Sequence, residues 1–446
     1  MTKREGNLEA PTRHPIAWRE PDYYAEAPLA AELARVFDIC HGCRRCVSLC
    51  NAFPTLFNLI DDGPTGELDG VDRSDFGKVV DQCYLCDLCF MTKCPYVPPH
   101  PWNVDFPHLM LRAKAVKFRE GDVRLRDKIL SSTDALGKLA AIPVVAQTVN
   151  AANRNGVTRS LLQSVLGVDK RRELPPYAPT RFRRSARLAE SWPVRDGERT
   201  PGKVAIFATC YINFNEPGIG HDLVAVLAHN EVPVTLVEQE ACCGMPKLEL
   251  GDMEGVARLK ARNVPGLAEL ARAGYAILAA VPSCALMFKQ ELPLMFPEDA
   301  DVQAVAEAMF DPFEYLMLRK RDGLLKTDFK QALGKVAYHI PCHGRVQNLG
   351  QKTRETLQLI PDTQVTTVER CSGHDGTWGV KEEFFEQSMR IGRPVFRQMA
   401  EGQPDYISSD CPIAGRHIEQ GIREGGTELK AERAHPLTLL RKAYGL

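Results

Sequence analysis

From about residue 200 to the end, short β-branched runs alternate with longer stretches whose apolar residues recur at helical spacing. "GKVAIFATCY", "VPVTLVEQEACCGMP" and "YAILAAVPSCALMF" read as strands that run into cysteines, and "MEGVARLKARNVPGLAELARAG" reads as a helix between them. Strands alternating with helices predict a parallel sheet. Upstream, "LGKLAAIPVVAQTVNAA" and "RSLLQSVLGV" have helical spacing inside residues 111–200, a stretch without cysteine. Residues 1–30 are polar and Pro-rich, which predicts an arm wrapped on its own chain or on a neighbour.

The strand–helix pattern then repeats. "GKVAYHIPCH", "TQVTTVERCSGHDG" and "PDYISSDCPIAGRH" are a second set of strands that run into cysteines. Cys210 and Cys342 are 132 residues apart, Cys242 and Cys371 are 129 apart, and Cys284 and Cys411 are 127 apart. Three matches at nearly one offset, each in the same context, predict a duplicated α/β unit over residues 201–330 and 331–446. In open α/β sheets, sites form beyond the carboxyl ends of the strands, where all these cysteines fall.

Composition adds little except through cysteine. At 446 residues, 44% hydrophobic and 25% charged, with a formal net charge of −1, the chain has the profile of a soluble globular protein with no bulk attraction to nucleic acid. Fifteen cysteines stand out against it. The start "MTKREGNLEAPTRHPIAWREPDYY" has no apolar signal core, and the odd count is spaced too tightly for a disulfide network. No run approaches the roughly 18 to 20 apolar residues of a spanning helix. These features predict a reduced, cytoplasmic setting with metal-bound thiolates, at most peripheral on the inner membrane. The Arg- and Lys-rich connector, "LRAKAVKFREGDVRLRDK" and "DKRRELPPYAPTRFRRSAR", reads as a helical segment with a solvated basic face; the sharper reading is a docking surface for a partner or lipid headgroups.

The chemistry is densest in residues 31–110. "CHGCRRCVSLC" has spacing C-x2-C-x2-C-x3-C and "CYLCDLCFMTKC" has C-x2-C-x2-C-x4-C, the two being separated by the turn-rich "DDGPTGELDGVDRSD". Zinc favours paired C-x2-C knuckles. Three cysteines at x2 intervals, twice over, suit iron–sulfur cubes instead, and in two-cluster ferredoxins the fourth cysteine of each run ligates the other cube. Carried onto this chain, one [4Fe–4S] cluster takes Cys40, Cys43, Cys46 and Cys94, and the other Cys83, Cys86, Cys89 and Cys50. Asn51 follows the first run where proline is usual. His41, Arg44, Arg45 and Lys93 lie inside the runs, as solvated charge or as tuners of cluster potential.

"EACCGMP", with Cys210 before it and Cys284 after it, resembles the CCG cysteine-rich domain of the heterodisulfide reductase-related family. That family includes the iron–sulfur subunits of glycolate oxidase and of anaerobic glycerol-3-phosphate dehydrogenase. The resemblance implies a mixed α+β and α/β fold, a helical ferredoxin-type two-cluster module followed by two CCG domains with parallel sheets. Its full pattern has five cysteines per repeat. Here Cys210, Cys242, Cys243 and Cys284 match in the first repeat, with Val281 in place of the leading cysteine of C-x2-C. In the second, Cys342, Cys371 and Cys411 match, while Ser372 and Ser408 replace cysteines. The expectation is an additional iron–sulfur cluster in the first repeat and a labile one, or none, in the second. A fourth position there is open to His343, His374, solvent or substrate; His339 also lies near.

"EPGIGHDL" lacks the third glycine of a dinucleotide loop and reads as a turn before a helix. A flavin, if one takes part, therefore belongs to a partner chain. The leading expectation is an electron-transfer protein, subunit or partner of an oxidoreductase, serving a flavoprotein dehydrogenase or a rubrerythrin-like protein, with a membrane or quinone contact. The alternative is reduction of a disulfide at a CCG-domain cluster.

Overall fold

The structure, a computed structural model, describes residues 9–188, 192–428 and 430–446. Residues 1–8 of the expected arm, 189–191 of the connector and Leu429 lie outside the described residues. The chain forms two compact units. The first comprises Met1–Ser131 with Pro246–Val256 and Leu294–Pro297; the second comprises Ser132–Met245, Ala257–Pro293 and Glu298–Leu446.

The first unit is helical. Helix Glu26–Cys43 buries Leu29, Leu33, Val36 and Phe37, one stripe at helical spacing. Phe37 meets Phe76 edge-on at 5.0 Å, and Phe53 of helix Ala52–Asp61 lies 4.7 Å from Phe106 of helix Phe106–Glu120. The arm folds back within this unit. Arg13 pairs with Asp87 at 2.7 Å and Asp105 at 3.0 Å and caps the Phe90 ring at 4.3 Å. Trp18 is buried, packs on Phe296 and donates its indole N–H to Met295 O.

The second unit holds two parallel four-stranded sheets. Strands β1 (Val204–Ile206), β2 (Val234–Leu236), β3 (Ala276–Leu278) and β4 (Met309–Phe310) lie in the order β2-β1-β3-β4. Strands β5 (Gly334–His339), β6 (Thr363–Val368), β7 (Tyr406–Ser409) and β8 (Glu432–Arg433) repeat it as β6-β5-β7-β8. In register, Val204 sits opposite both Val234 and Ala276, as Val336 sits opposite Val365 and Tyr406. β1 and β3 are buried along their whole length, which is why they read as continuous apolar runs and not as alternating ones. The expected mixed fold with duplicated parallel sheets is therefore what the chain adopts.

Helix Pro217–His229 starts inside "EPGIGHDL", with proline in its first turn. A Cβ on Gly220 would come within 2.6 Å of the Phe182 ring, so close packing explains that glycine. Asp222 on the same helix accepts from Arg441 (2.9 Å) and Thr438 of the C-terminal helix Pro436–Tyr444, tying the first repeat to the second. In the second repeat, Val395, Phe396, Met399, Ile418 and Ile422 pack on Ala337, Val368 and Ile407 of the sheet.

The connector is helical, as Thr133–Ala140, Pro143–Arg154 and Gly156–Leu166. Its basic face departs from the solvated reading at three residues, of which Arg126 is one. Arg159 and Arg172 are buried, because each guanidinium can satisfy several backbone carbonyls and side chains at once. Arg159 donates to Asp169 O and Arg172 O, both at 2.7 Å.

Candidate metal centres

In the first unit the cysteines sit where helices stop. Cys40 and Cys43 occupy the last turn of Glu26–Cys43, which ends because Arg44 turns left-handed at φ 50°. Asn51 bonds Gln82 Oε1 at 2.8 Å, tying the first run to the helix that leads into the second. In "CYLCDLC", Leu85 (φ 53°) and Asp87 (φ 60°) flank Cys86 in left-handed conformations. Such residues are uncommon outside glycine and mark a tightly coiled loop.

The thiols of the two runs neighbour one another. Cys40 is raised well above an ordinary thiol, by burial first and then by the neighbouring charges of Cys94, Cys46 and Cys43. Cys46 is pushed up to about 12 by burial, Cys94 and Cys43, with Lys93 and Arg45 opposing. Cys94 accepts backbone N–H bonds from Tyr96 and Val97, which partly offset its burial. Cys89 is raised by burial and then by Cys83, Cys50, Cys46 and Asp87. Cys94 is thus a neighbour of Cys40 and Cys46, and Cys50 a neighbour of Cys89, to which Cys46 is also close. Of the charges inside the runs, Lys93 and Arg45 act on Cys46, whereas Arg44 pairs with Asp61 and caps the Phe57 ring at 5.0 Å. His41 faces Glu67 at 3.3 Å.

In the second unit every cysteine follows the carboxyl end of a strand. Cys210 follows β1, Cys242 and Cys243 follow β2, and Cys284 follows β3; these three strands are adjacent, so their ends converge. The four thiols reach one another: Cys242 accepts from both Cys210 and Cys243, which lowers it well below the usual thiol range, and Cys243 also bonds Cys284. Thr133 Oγ1 donates to Cys242 Sγ at 3.3 Å, a partner from the connector that nothing in the sequence pattern marks. The turn before Cys210 is strained at Thr209 (φ 58°) and held by Glu240, whose carboxylate accepts the Ala208 N–H at 3.0 Å. Burial raises Glu240 to about 7 despite Arg183 at 3.0 Å.

The second repeat places Cys342, Cys371 and Cys411 after β5, β6 and β7, again on adjacent strands. Cys342 is raised by burial, then by Cys371, Cys411 and Asp375. Cys411 is raised to about 11 by burial, with the N–H groups of Ala414 and Ile413 opposing and Asp375 adding to the rise. Asp375 therefore stands beside two of the three thiols, a neighbour the sequence reading missed although it lies inside "CSGHDG". His339 is engaged elsewhere, bonded to Ser409 Oγ and Arg370 O. His343 Nδ1 meets Ser283 Oγ at 2.8 Å, facing the first repeat. His374 is lowered to about 3 by burial and then by Arg172, and its Nδ1 has no partner among the described residues. Ser408 donates to Ala434 O, so its hydroxyl is spent on the backbone.

The loop that carries Cys371 is held by buried Arg172, which donates to Gly379 O (2.9 Å), Ser388 Oγ (2.8 Å) and His417 Nδ1. Burial without a contacting carboxylate lowers that guanidinium to about 10.

No disulfide joins any of the fifteen cysteines. Among the described residues, no three His, Cys, Asp or Glu side chains are grouped to hold a single ion. Thiols that neighbour one another and accept backbone N–H bonds, as Cys94 does from Tyr96 and Val97 and Cys371 from Gly373 at 3.3 Å, fit an iron–sulfur cluster, whose sulfurs take such bonds.

The comparisons agree. The model of the CCG cysteine-rich domain matches residues 204–289 and 336–418, one match on each sheet. An anaerobic glycerol-3-phosphate dehydrogenase subunit from Escherichia coli K12 is 31% identical over 345 residues, covering 77% of this chain and 83% of the relative. Lactate utilization protein A of Bacillus pumilus is 28% identical, covering 47% of this chain and 87% of the relative. A fumarate reductase (CoM/CoB) subunit from Methanothermobacter marburgensis is 25% identical, covering 56% and 48%. The chain thus belongs to the family of iron–sulfur, oxidoreductase-associated electron-transfer subunits with paired CCG domains, of which the anaerobic glycerol-3-phosphate dehydrogenase relative is a member.

Proposed function

We propose that this protein relays electrons between a dehydrogenase subunit and a membrane acceptor, through two [4Fe–4S] clusters in the first unit and one in the first CCG repeat. Cys40, Cys43, Cys46 and Cys94 would hold one cluster, Cys83, Cys86, Cys89 and Cys50 the other, and Cys210, Cys242, Cys243 and Cys284 the third. When bound, such clusters supply one-electron transfer, and the substrate's two-electron chemistry falls to a partner flavin. The observation that supports this reading is that Cys94 neighbours Cys40 and Cys46 of the first run, while Cys50 neighbours Cys89 of the second. Two relatives are named as subunits of oxidoreductases, which supports a redox partner.

Contact with a membrane is argued from the connector. Residues 135–168 contain no Asp or Glu, and Val144, Val157, Leu161 and Val165 are 63–79% exposed there. An apolar, cation-bearing surface without acids suits anionic lipid headgroups. Among the described residues no single helix is long and apolar enough to cross a bilayer. A cytoplasmic face of the inner membrane is the location this reading assigns.

A second reading, disulfide reduction, is favoured by the second repeat, whose three thiols leave a ligand position for a substrate. One preparation tests both. In the anaerobically reconstituted full chain, Cys94→Ser should alter the electron paramagnetic resonance of the first-run cluster and Cys50→Ser that of the second. If each substitution harms only its own run's cluster, the crossed relay is wrong. Thiol release from an added disulfide by the reduced chain would favour the second reading.

A further inference from the structure

A cavity of about 330 Å³ lies against Cys210 of the first repeat. Of the four sulfur-bearing residues only Cys210 lines it, so it is not the space among the thiols. Its charged lining is Asp134, Lys138, Arg181, Arg183, Arg184 and Glu240. Asp134 is taken by Lys138 at 2.7 Å, and Glu240 by Arg183 at 3.0 Å. That leaves Arg181 and Arg184 without a carboxylate partner among the described residues. Arg181 reaches Lys138 O at 2.6 Å through one terminal nitrogen, while its Nε is buried with no hydrogen-bond partner among the described residues. The Phe214 ring, 5.3 Å from its guanidinium carbon, restricts where that fork can point.

Two uncompensated guanidiniums at the wall of a partly enclosed cavity favour an anion, and their fork geometry suits the paired oxygens of a carboxylate or phosphate. The volume lies at the small end of ligand pockets. We propose that this cavity binds a small carboxylate- or phosphate-bearing molecule against Cys210. The placement beside a cluster rests on the functional reading above; the binding itself does not.

Calorimetric titration of the full-length chain tests it, with inorganic phosphate and malonate as probes and ionic strength held constant with sodium chloride. Saturable one-site binding is expected, weakened at least tenfold in Arg181→Gln and in Arg184→Gln and unchanged in Arg199→Gln, whose exposed side chain lies outside the cavity. Arg184 is exposed, so its substitution should leave the thermal transition unmoved and keep the test valid should Arg181→Gln unfold. Tighter phosphate binding would assign a phosphate ester and tighter malonate binding a carboxylate. No saturable binding, or equal weakening by Arg199→Gln, overturns the proposal. In the reconstituted chain, phosphate should also shift the resonance that Cys210→Ser removes; binding without that shift overturns the placement against Cys210. If Cys210→Ser removes no resonance, the cluster reading fails while the anion site stands or falls on calorimetry alone.

Discussion

His435 caps the helix Pro436–Tyr444: Nδ1 accepts the Leu437 N–H at 3.2 Å, so the proton sits on Nε2, which donates to Asp410 O at 3.2 Å. Burial lowers this imidazole to about 4. An unfolded histidine titrates near about 6.5, so between those values only the unfolded chain takes up the proton. The contribution is therefore complete above about pH 6.5 and lost as pH falls toward 4, at up to about 1.4 kcal/mol per pH unit. Denaturant unfolding at pH 7 and pH 5 should show a smaller drop in His435→Asn, since asparagine keeps a capping oxygen without the titration. Equal drops in both proteins would show that His435 does not titrate as described. At this scale the cysteines were readable because their spacing is local. Thr133 and Asp375 were not, since neither belongs to a spacing rule: Thr133 is defined only by the thiol it bonds, and Asp375 only by the thiols on which its charge acts.

Helices Pro143–Arg154 and Gly156–Leu166 are joined by Asn155, whose side-chain oxygen caps the second by accepting from Val157 N (2.9 Å) and Thr158 N (3.2 Å). Their helical period was legible, but not which face would be covered. Val157 is 79% exposed and Leu161 is 63% exposed, one turn apart on one helix, while Arg159 between them is buried. That inverts the usual assignment of apolar in and charged out. Replacing Val157 and Leu161 with glutamine should leave thermal stability within about 0.5 kcal/mol of the parent, as for surface substitutions generally. It should weaken co-sedimentation with phosphatidylglycerol vesicles at least tenfold, because burying one such side chain contributes about 1.5 to 3 kcal/mol. Undiminished sedimentation would remove this surface from the membrane contact.

The whole molecule carries a duplicated sheet whose halves differ in the thiols at their strand ends. The first keeps four converging thiols; the second keeps three, with Asp375 beside them and Ser408 committed to Ala434 O. Iron–sulfur clusters take soft thiolate ligands in preference to carboxylate or hydroxyl. Anaerobic iron analysis of the full chain should therefore show a larger loss in Cys243→Ser than in Cys371→Ser. Equal losses, or tighter retention at the second site, would reverse the assignment.

The sequence alone determined the parallel strand–cysteine–helix repeat and the number of thiols at each site. Both are written in local patterns: β-branched runs, helical periods, and cysteine offsets near 130 residues that survive without any knowledge of packing. Tertiary structure alone decided which non-cysteine groups reach those thiols and what shapes the surroundings. Thr133 meets Cys242 across 109 positions, and Arg172 meets His417 across 245. Among the described residues two guanidiniums lack carboxylate partners at a cavity whose acids are already paired with other cations. No periodicity encodes such meetings; they arise where separate elements, each folded for its own local reasons, are brought side by side.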